Sequence, residues 1–99
     1  RLMERQVEIL FGERPKDLTH FALASQISQA EAMQFFIQHF RCQKGRCTGV
    51  IWWNLSDGWP QISDAVMDYY NTRKLAYWYI QRCQQPVCLM LKEHERFLY

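Results

Sequence analysis

The sequence predicts an α/β fold, on three observations. Residues 18–41 form one helical stretch without Gly or Pro, rich in the good helix formers Ala, Gln, Glu and Met. A short basic turn from Cys42 to Cys47 then leads into Gly49-Val50-Ile51-Trp52-Trp53. That run is apolar and β-favouring, with no polar alternation, and suits a strand covered on both faces. After a loop, residues 73–83 return to helical spacing. Helix, short connection and buried strand in that order make half of an α/β repeat.

Taken in order, residues 2–11 carry apolar groups at Met3, Val7 and Leu10, with Glu4, Arg5, Gln6 and Glu8 opposite, which is helical spacing. Gly12 supplies the positive φ that ends such a helix, and Pro15 prevents quick resumption. Asp17 or Thr19 offers the next N-cap. On the long helix, Phe21, Ser25, Ser28, Ala32, Phe35 and His39 mark one face, widened by Leu18, Phe36 and Phe40. Its small central residues, Ala22 to Ala32, allow close approach to a neighbouring layer, and Gln26, Gln29 and Gln34 either meet solvent or reach that layer. Residues 62–70 read as an irregular excursion. Asn71-Thr72 then caps a helix whose stripe is Leu75, Ala76, Tyr79 and Ile80, and Pro86 closes it. Val87 to Leu91 reads as a short strand. Both ends of the chain read as severed.

Ninety-nine residues bound one small domain or a piece of a larger one. A chain of this size buries about 60–65% of its unfolded surface, which leaves fifteen aromatic side chains hard to hide. The formal charge of +2 is too small and too scattered for a nucleic-acid footprint. No apolar segment approaches the ~20 residues of a membrane span, and no export signal opens the chain, which favours a cytoplasmic setting. Cys42, Cys47, Cys83 and Cys88 fall as two Cys-x4-Cys pairs; structural zinc sites use closer spacing, so free thiols are the expectation. His20 and His39 read as ordinary helix histidines.

The stretch from Thr48 to Pro60 is the chemical centre of the sequence. A buried strand gives way to the turn formers Asn54, Ser56, Asp57 and Gly58, then to Trp59 and Pro60. Polar groups and indole rings at a strand end describe the rim of a site. Together with Ala24–Ala32 on the long helix, Asp68-Tyr69-Tyr70, Lys74-Leu75-Ala76-Tyr77 and Gln85-Pro86-Val87, this stretch resembles glycoside hydrolase family 2, especially its β-mannosidase-like members. The resemblance covers residues 18 to 91.

The resemblance implies the C-terminal part of a (β/α) TIM barrel over residues 1–86 and the start of a β-sandwich domain over residues 87–99. The long helix would be the seventh, Gly49–Trp53 the eighth strand and Arg73–Cys83 the eighth helix. Such barrels need ~250 residues and place their chemistry at the C-terminal ends of the strands. The implied activity is retaining hydrolysis of terminal β-linked sugars by two glutamates ~5–5.5 Å apart. Glu4, Glu8, Glu13 and Glu31 do not match those motifs, so no catalytic residue is assigned; the resemblance places both glutamates before Arg1.

Four residues are the candidate substrate contacts. Trp53 matches the family's indole wall, which stacks on the apolar face of a pyranose, with barrel core as its other reading; Trp52, pointing the other way along a strand, faces the helix layer. Asn54 and Asp57 read either hydroxyls or brace the loop, and Trp59 is a rim platform or a plug. Asp64 and Asp68 read as caps or loop anchors. No metal or cofactor is required. The implied partners are a carbohydrate substrate and the rest of the parent barrel with its flanking β-sandwich domains. A freestanding carbohydrate- or protein-binding module with exposed tryptophans is the alternative from another class, and a small zinc domain built on the four cysteines is a third.

Overall fold

Three α-helices and a long irregular connection make up the body of the computed structural model, which describes residues 2–91, 93–94 and 97–98. Helix α1 spans Leu2–Phe11, α2 Leu18–Arg41 and α3 Leu75–Cys83. The first two match the expected helices. Gly12, at φ +77°, ends α1 as its freedom at positive φ requires, and its N–H donates to the Glu8 carbonyl. Asp17 is the N-cap of α2, its carboxylate accepting from the His20 N–H at 3.0 Å. Arg14 folds the link between the helices back, pairing with Glu4 at 3.0 Å while its guanidinium lies over the Phe21 ring.

The core lies between α2 and α3. Ala30 and Ile37 of α2 meet Ala76, Ile80 and Cys83 of α3 and Val66 of the connection, with Met33, Phe36, Trp52, Leu75, Tyr77 and Tyr79 packed around them. Ala30 and Ala76 are fully buried, so the two helices approach where their side chains are smallest. The apolar face expected on α2 is corrected here. Phe35 and Leu18 are exposed, as are Ala32 and His39, and the buried residues are Ala24, Ala30 and Ile37. Helix α2 contacts both α1 and α3, so its burial follows two neighbours rather than one stripe.

Side chains from α2 complete α3. The Gln26 Oε1 accepts the Leu75 N–H at 3.1 Å, a free donor of the first turn of α3. Gln29 Nε2 donates to the Asp64 carbonyl at 2.6 Å. Arg41 donates to the Cys83 carbonyl, and to that of Gln85 at 2.9 Å, closing the other end of α3. Helix α3 starts two residues later than expected. Lys74 is its N-cap and contributes no side-chain cap, while Asn71 takes φ +64° in the preceding turn. Asp68 anchors that turn, accepting the N–H groups of Tyr70 and Thr72 at 2.9 and 2.8 Å.

The α/β expectation is overturned. Among the described residues there is no barrel, and the sole sheet is a two-residue antiparallel pair, β1 (Glu93–His94) with β2 (Phe97–Leu98). Gly49–Trp53 is not a strand, nor is Val87–Leu91, so among the described residues neither an eighth barrel strand nor the start of a β-sandwich is present; residues 92, 95, 96 and 99 of the expected sandwich segment lie outside the described residues. The physical reason lies in pairing. A run of β-favouring residues becomes a strand when neighbours complete its hydrogen-bond ladder. Residues 49–53 have none, and Ile51 is 93% exposed instead of covered on both faces. Apolar composition set the covering as an expectation, and this chain does not supply the layers. The radius of gyration of 15.2 Å exceeds the about 13 Å of a compact domain this size. The body is thin, 19 Å along its shortest axis.

Candidate functional site

The connection between α2 and α3 carries every candidate site residue, and short backbone links order it. The Val66 N–H donates to the Asn54 carbonyl at 3.2 Å and the Met67 N–H to the Leu55 carbonyl at 2.9 Å. In return the Asp57 N–H donates to the Met67 carbonyl at 3.2 Å, and the Lys74 N–H donates to the Val66 carbonyl at 2.9 Å. Met67 therefore bridges Ser56 on one side and Arg73 on the other. Residues 54–57 are tied to 66–67, and 66–67 to the start of α3.

Trp52 and Trp53 part company at the head of this segment. Trp52 packs on the α2–α3 core, whereas Trp53 is 80% exposed. The peptide bond between Trp53 and Asn54 is cis. Asn54 is half-buried and held by its carbonyl, and Trp59, beyond the anchored residues, is 65% exposed. Two indoles thus stand in solvent from either end of a fixed loop.

Asp57 is the exception among the four. Its side chain is fully buried, the one polar residue among the described buried set. Oδ1 accepts from the Ser63 hydroxyl and from Gln61 Nε2 at 3.1 Å. Oδ2 has no hydrogen bond, and the Lys74 ammonium lies 3.7 Å from it. The Ser63 hydroxyl bond, foremost, holds the carboxyl below its ordinary range; burial pushes the other way, and Gln61 and Lys74 add to the lowering. The Ser63 hydroxyl also accepts the Ala65 N–H at 3.0 Å, and Lys74 Nζ donates to the Ser63 carbonyl at 3.2 Å. The structure therefore joins Asn54 and Asp57 through their common attachment to Val66 and Met67, and turns the Asp57 carboxylate inward.

Sequence reasoning missed Gln61, Ser63 and Lys74. Nothing in their spacing selects Lys74 from the twelve Lys and Arg residues, since its contact with Asp57 spans the whole excursion. The general signal was available: a carboxylate beside an apolar segment needs donors if it is buried.

A cavity of about 240 Å³ opens on the Trp52 side, lined by Trp52, Leu55, Val66, Tyr77, Ile80, Gln81 and Gln84. It contains none of the four candidate contacts. Among the described residues no three His, Cys, Asp or Glu side chains converge as a metal site, and all four cysteines are free thiols. Burial, foremost, and the neighbouring Cys88 push the Cys83 thiol up. No described helix is long and apolar enough to cross a membrane.

The chain is similar to several fungal proteins named Beta-mannosidase B. The chain is 38% identical over 82 residues to Beta-mannosidase B of Aspergillus niger, covering 79% of this chain and 10% of that protein. It is 35% identical over 82 residues to Beta-mannosidase B of Aspergillus oryzae, with the same coverage of 79% and 10%. Against Beta-mannosidase B of Neosartorya fischeri the figures are 38% over 80 residues, 77% of this chain and 9% of the relative. The chain thus spans about a tenth of the length of the curated relatives it matches. No family model matches it. No solved structure matches it significantly.

Proposed function

We propose that this chain is a segment of a β-mannosidase-like retaining glycoside hydrolase of family 2, and that it supplies an aromatic wall of the sugar site. The observation that carries the reading is the similarity to Beta-mannosidase B over most of this chain. The loop geometry supports it. Trp53 is a large, exposed indole directly before Asn54, whose carbonyl is held by the Val66 N–H, and an anchored, exposed ring suits stacking on the C–H face of a pyranose. Trp59 offers a second platform, and Asn54, half-buried between them in sequence, supplies an amide to read a hydroxyl. Asp57 works from behind, as the loop's internal brace.

In this reading the nucleophile and the acid/base are glutamates contributed by the rest of the parent protein, which also covers the apolar surface that this segment exposes. Retaining chemistry proceeds through a covalent sugar–enzyme intermediate formed and broken by those two groups. The wall's contribution is to hold the sugar ring so that the anomeric carbon stays in line with them.

The test is hydrolysis of p-nitrophenyl β-D-mannopyranoside by the full natural protein, with the β-glucoside and β-galactoside as comparators. Release of p-nitrophenol fastest from the mannoside, with the β-anomer of mannose appearing first by NMR, is the expected outcome. Trp53→Ala should raise KM about tenfold, the equivalent of about 1.4 kcal/mol of lost sugar contact. A wild-type protein inert towards all of these β-glycosides would falsify the reading.

A further inference from the structure

Lys74 breaks a local rule. It stands at the N-cap of α3 without capping it, and its side chain is only 19% exposed. Helix N-termini favour anions, because the free N–H groups of the first turn carry partial positive charge. A lysine tucked in there is held against that preference and loses most of its hydration, so its ammonium must be satisfied elsewhere. Two acceptors do this. The Ser63 carbonyl takes a hydrogen bond at 3.2 Å, and the Asp57 carboxylate, fully buried, lies at 3.7 Å with no other partner for that oxygen. Locally unfavourable choices of this kind concentrate where function demands them.

We propose that Lys74 is a positioning residue for the sugar wall. Its ammonium clamps the Asp57 and Ser63 sides of the loop to the start of α3, and so sets where Trp53 and Trp59 stand. The route is continuous in the structure. The Lys74 backbone N–H holds Val66, the Val66 N–H holds the Asn54 carbonyl next to Trp53, and the Lys74 ammonium holds Asp57, two residues before Trp59. Lys74 therefore grips the loop through both its backbone and its side chain. Removing the ammonium frees only the second grip, which makes its effect separable from unfolding. This inference rests on the functional reading above for what the wall binds, and on geometry alone for what the lysine holds.

The experiment uses the full natural protein and four variants: Lys74→Met, Lys74→Arg, Trp53→Ala and the double variant Trp53→Ala with Lys74→Met. Hydrogen exchange read by mass spectrometry should show the Asp57, Val66 and Met67 amides exchanging about tenfold faster in Lys74→Met, because a buried carboxylate has lost its counter-charge. The amides of central α2 should not change, and Lys74→Arg should restore most of the protection. With p-nitrophenyl β-D-mannopyranoside, Lys74→Met should raise KM several-fold, by about three- to tenfold, with a smaller change in kcat. The same substitution should add much less to Trp53→Ala than to wild type, leaving only its effect through Trp59, since residues acting through one another are not additive. A full, additive KM effect in the Trp53→Ala background overturns the positioning role, as does unchanged exchange in Lys74→Met. Loss of α2 protection together with the loop identifies a merely structural lysine and also overturns it. An inactive wild-type protein sinks the functional reading instead, and the exchange arm then decides by itself whether Lys74 holds the loop.

Discussion

The α2–α3 contact and the loop from residue 54 to 67 are ordered by different forces, although Val66 belongs to both. Between the helices, fully buried alanines bring two backbones together and Ile37, Ile80 and Cys83 fill the seam. Among the described residues no fully buried polar side chain lies in that seam, and the half-buried Gln26 and Arg41 bond only the two ends of α3. In the loop, regular structure is absent and order comes from one buried carboxylate, a lysine, a serine and a few isolated bridges. Burial of apolar surface is non-directional and survives small shifts. A hydrogen-bonded charge cluster is directional and depends on every member being present. The helical pair is therefore a platform, and the loop a device whose geometry is specified group by group.

The largest effect expected is in the platform. Ile37 is 2% exposed and sits at the centre of the seam. Ile37→Ala should lower the stability of the fold by about 2–5 kcal/mol, the range for deleting a buried aliphatic side chain and leaving a cavity. Urea unfolding followed by far-UV circular dichroism reads it. A loss within about 0.5 kcal/mol, typical of an exposed site, would mean that the α2–α3 seam does not hold this chain together.

The loop should respond to acid where the platform does not. The folded-state pKa of Asp57 lies below the unfolded value, so its ionised form is favoured by folding. Such a group stabilises the fold above the unfolded pKa of about 3.9 and loses that contribution as pH falls through the lower, folded value. Protection of the Asp57, Val66 and Met67 amides should hold from neutral pH to about pH 4, then collapse below it. In Asp57→Asn the loop should be less protected at neutral pH, and the difference from wild type should shrink once wild-type Asp57 is itself protonated. A difference that stays constant down to pH 2 would show that the carboxylate's charge is not what orders the loop.

The same division explains what was legible in the sequence. Helices α1 and α2 were readable to their ends, because Gly12, Pro15 and Asp17 act through local backbone geometry that sequence exposes directly. Trp52 and Trp53 do differ in exposure, Trp52 packing on the core and Trp53 standing 80% exposed, but they do so at a bend and not along the expected strand. The strand itself was not readable. Val50-Ile51-Trp52-Trp53 states a preference, but a ladder needs neighbours, and a preference without partners leaves Ile51 in solvent. The buried face of α2 was misjudged for a related reason, as it depends on which elements lie on either side. Asp57 carried two expectations, a hydroxyl contact or a loop brace, and the partners that hold it, Ser63 six residues on and Lys74 beyond the excursion, are not marked by any local pattern.

Adjacent tryptophans offer the finest comparison of platform and loop, and the smallest expected change. Trp52→Ala removes an indole packed against Val66, Ile80 and their neighbours, and opens the cavity beside Tyr77. It should destabilise the fold measurably, though by less than the loss of a fully buried ring, because Trp52 is only partly covered. Trp53→Ala removes a ring of the same size that is 80% exposed. Its effect on stability should stay within about 0.5 kcal/mol, the usual limit for an exposed site without special contacts. The pair is informative because chemistry, size and position along the chain are held nearly constant, leaving burial as the variable. If Trp53→Ala instead cost more than about 1 kcal/mol, its indole would be packed in the intact protein, and a packed indole has no free face for a sugar.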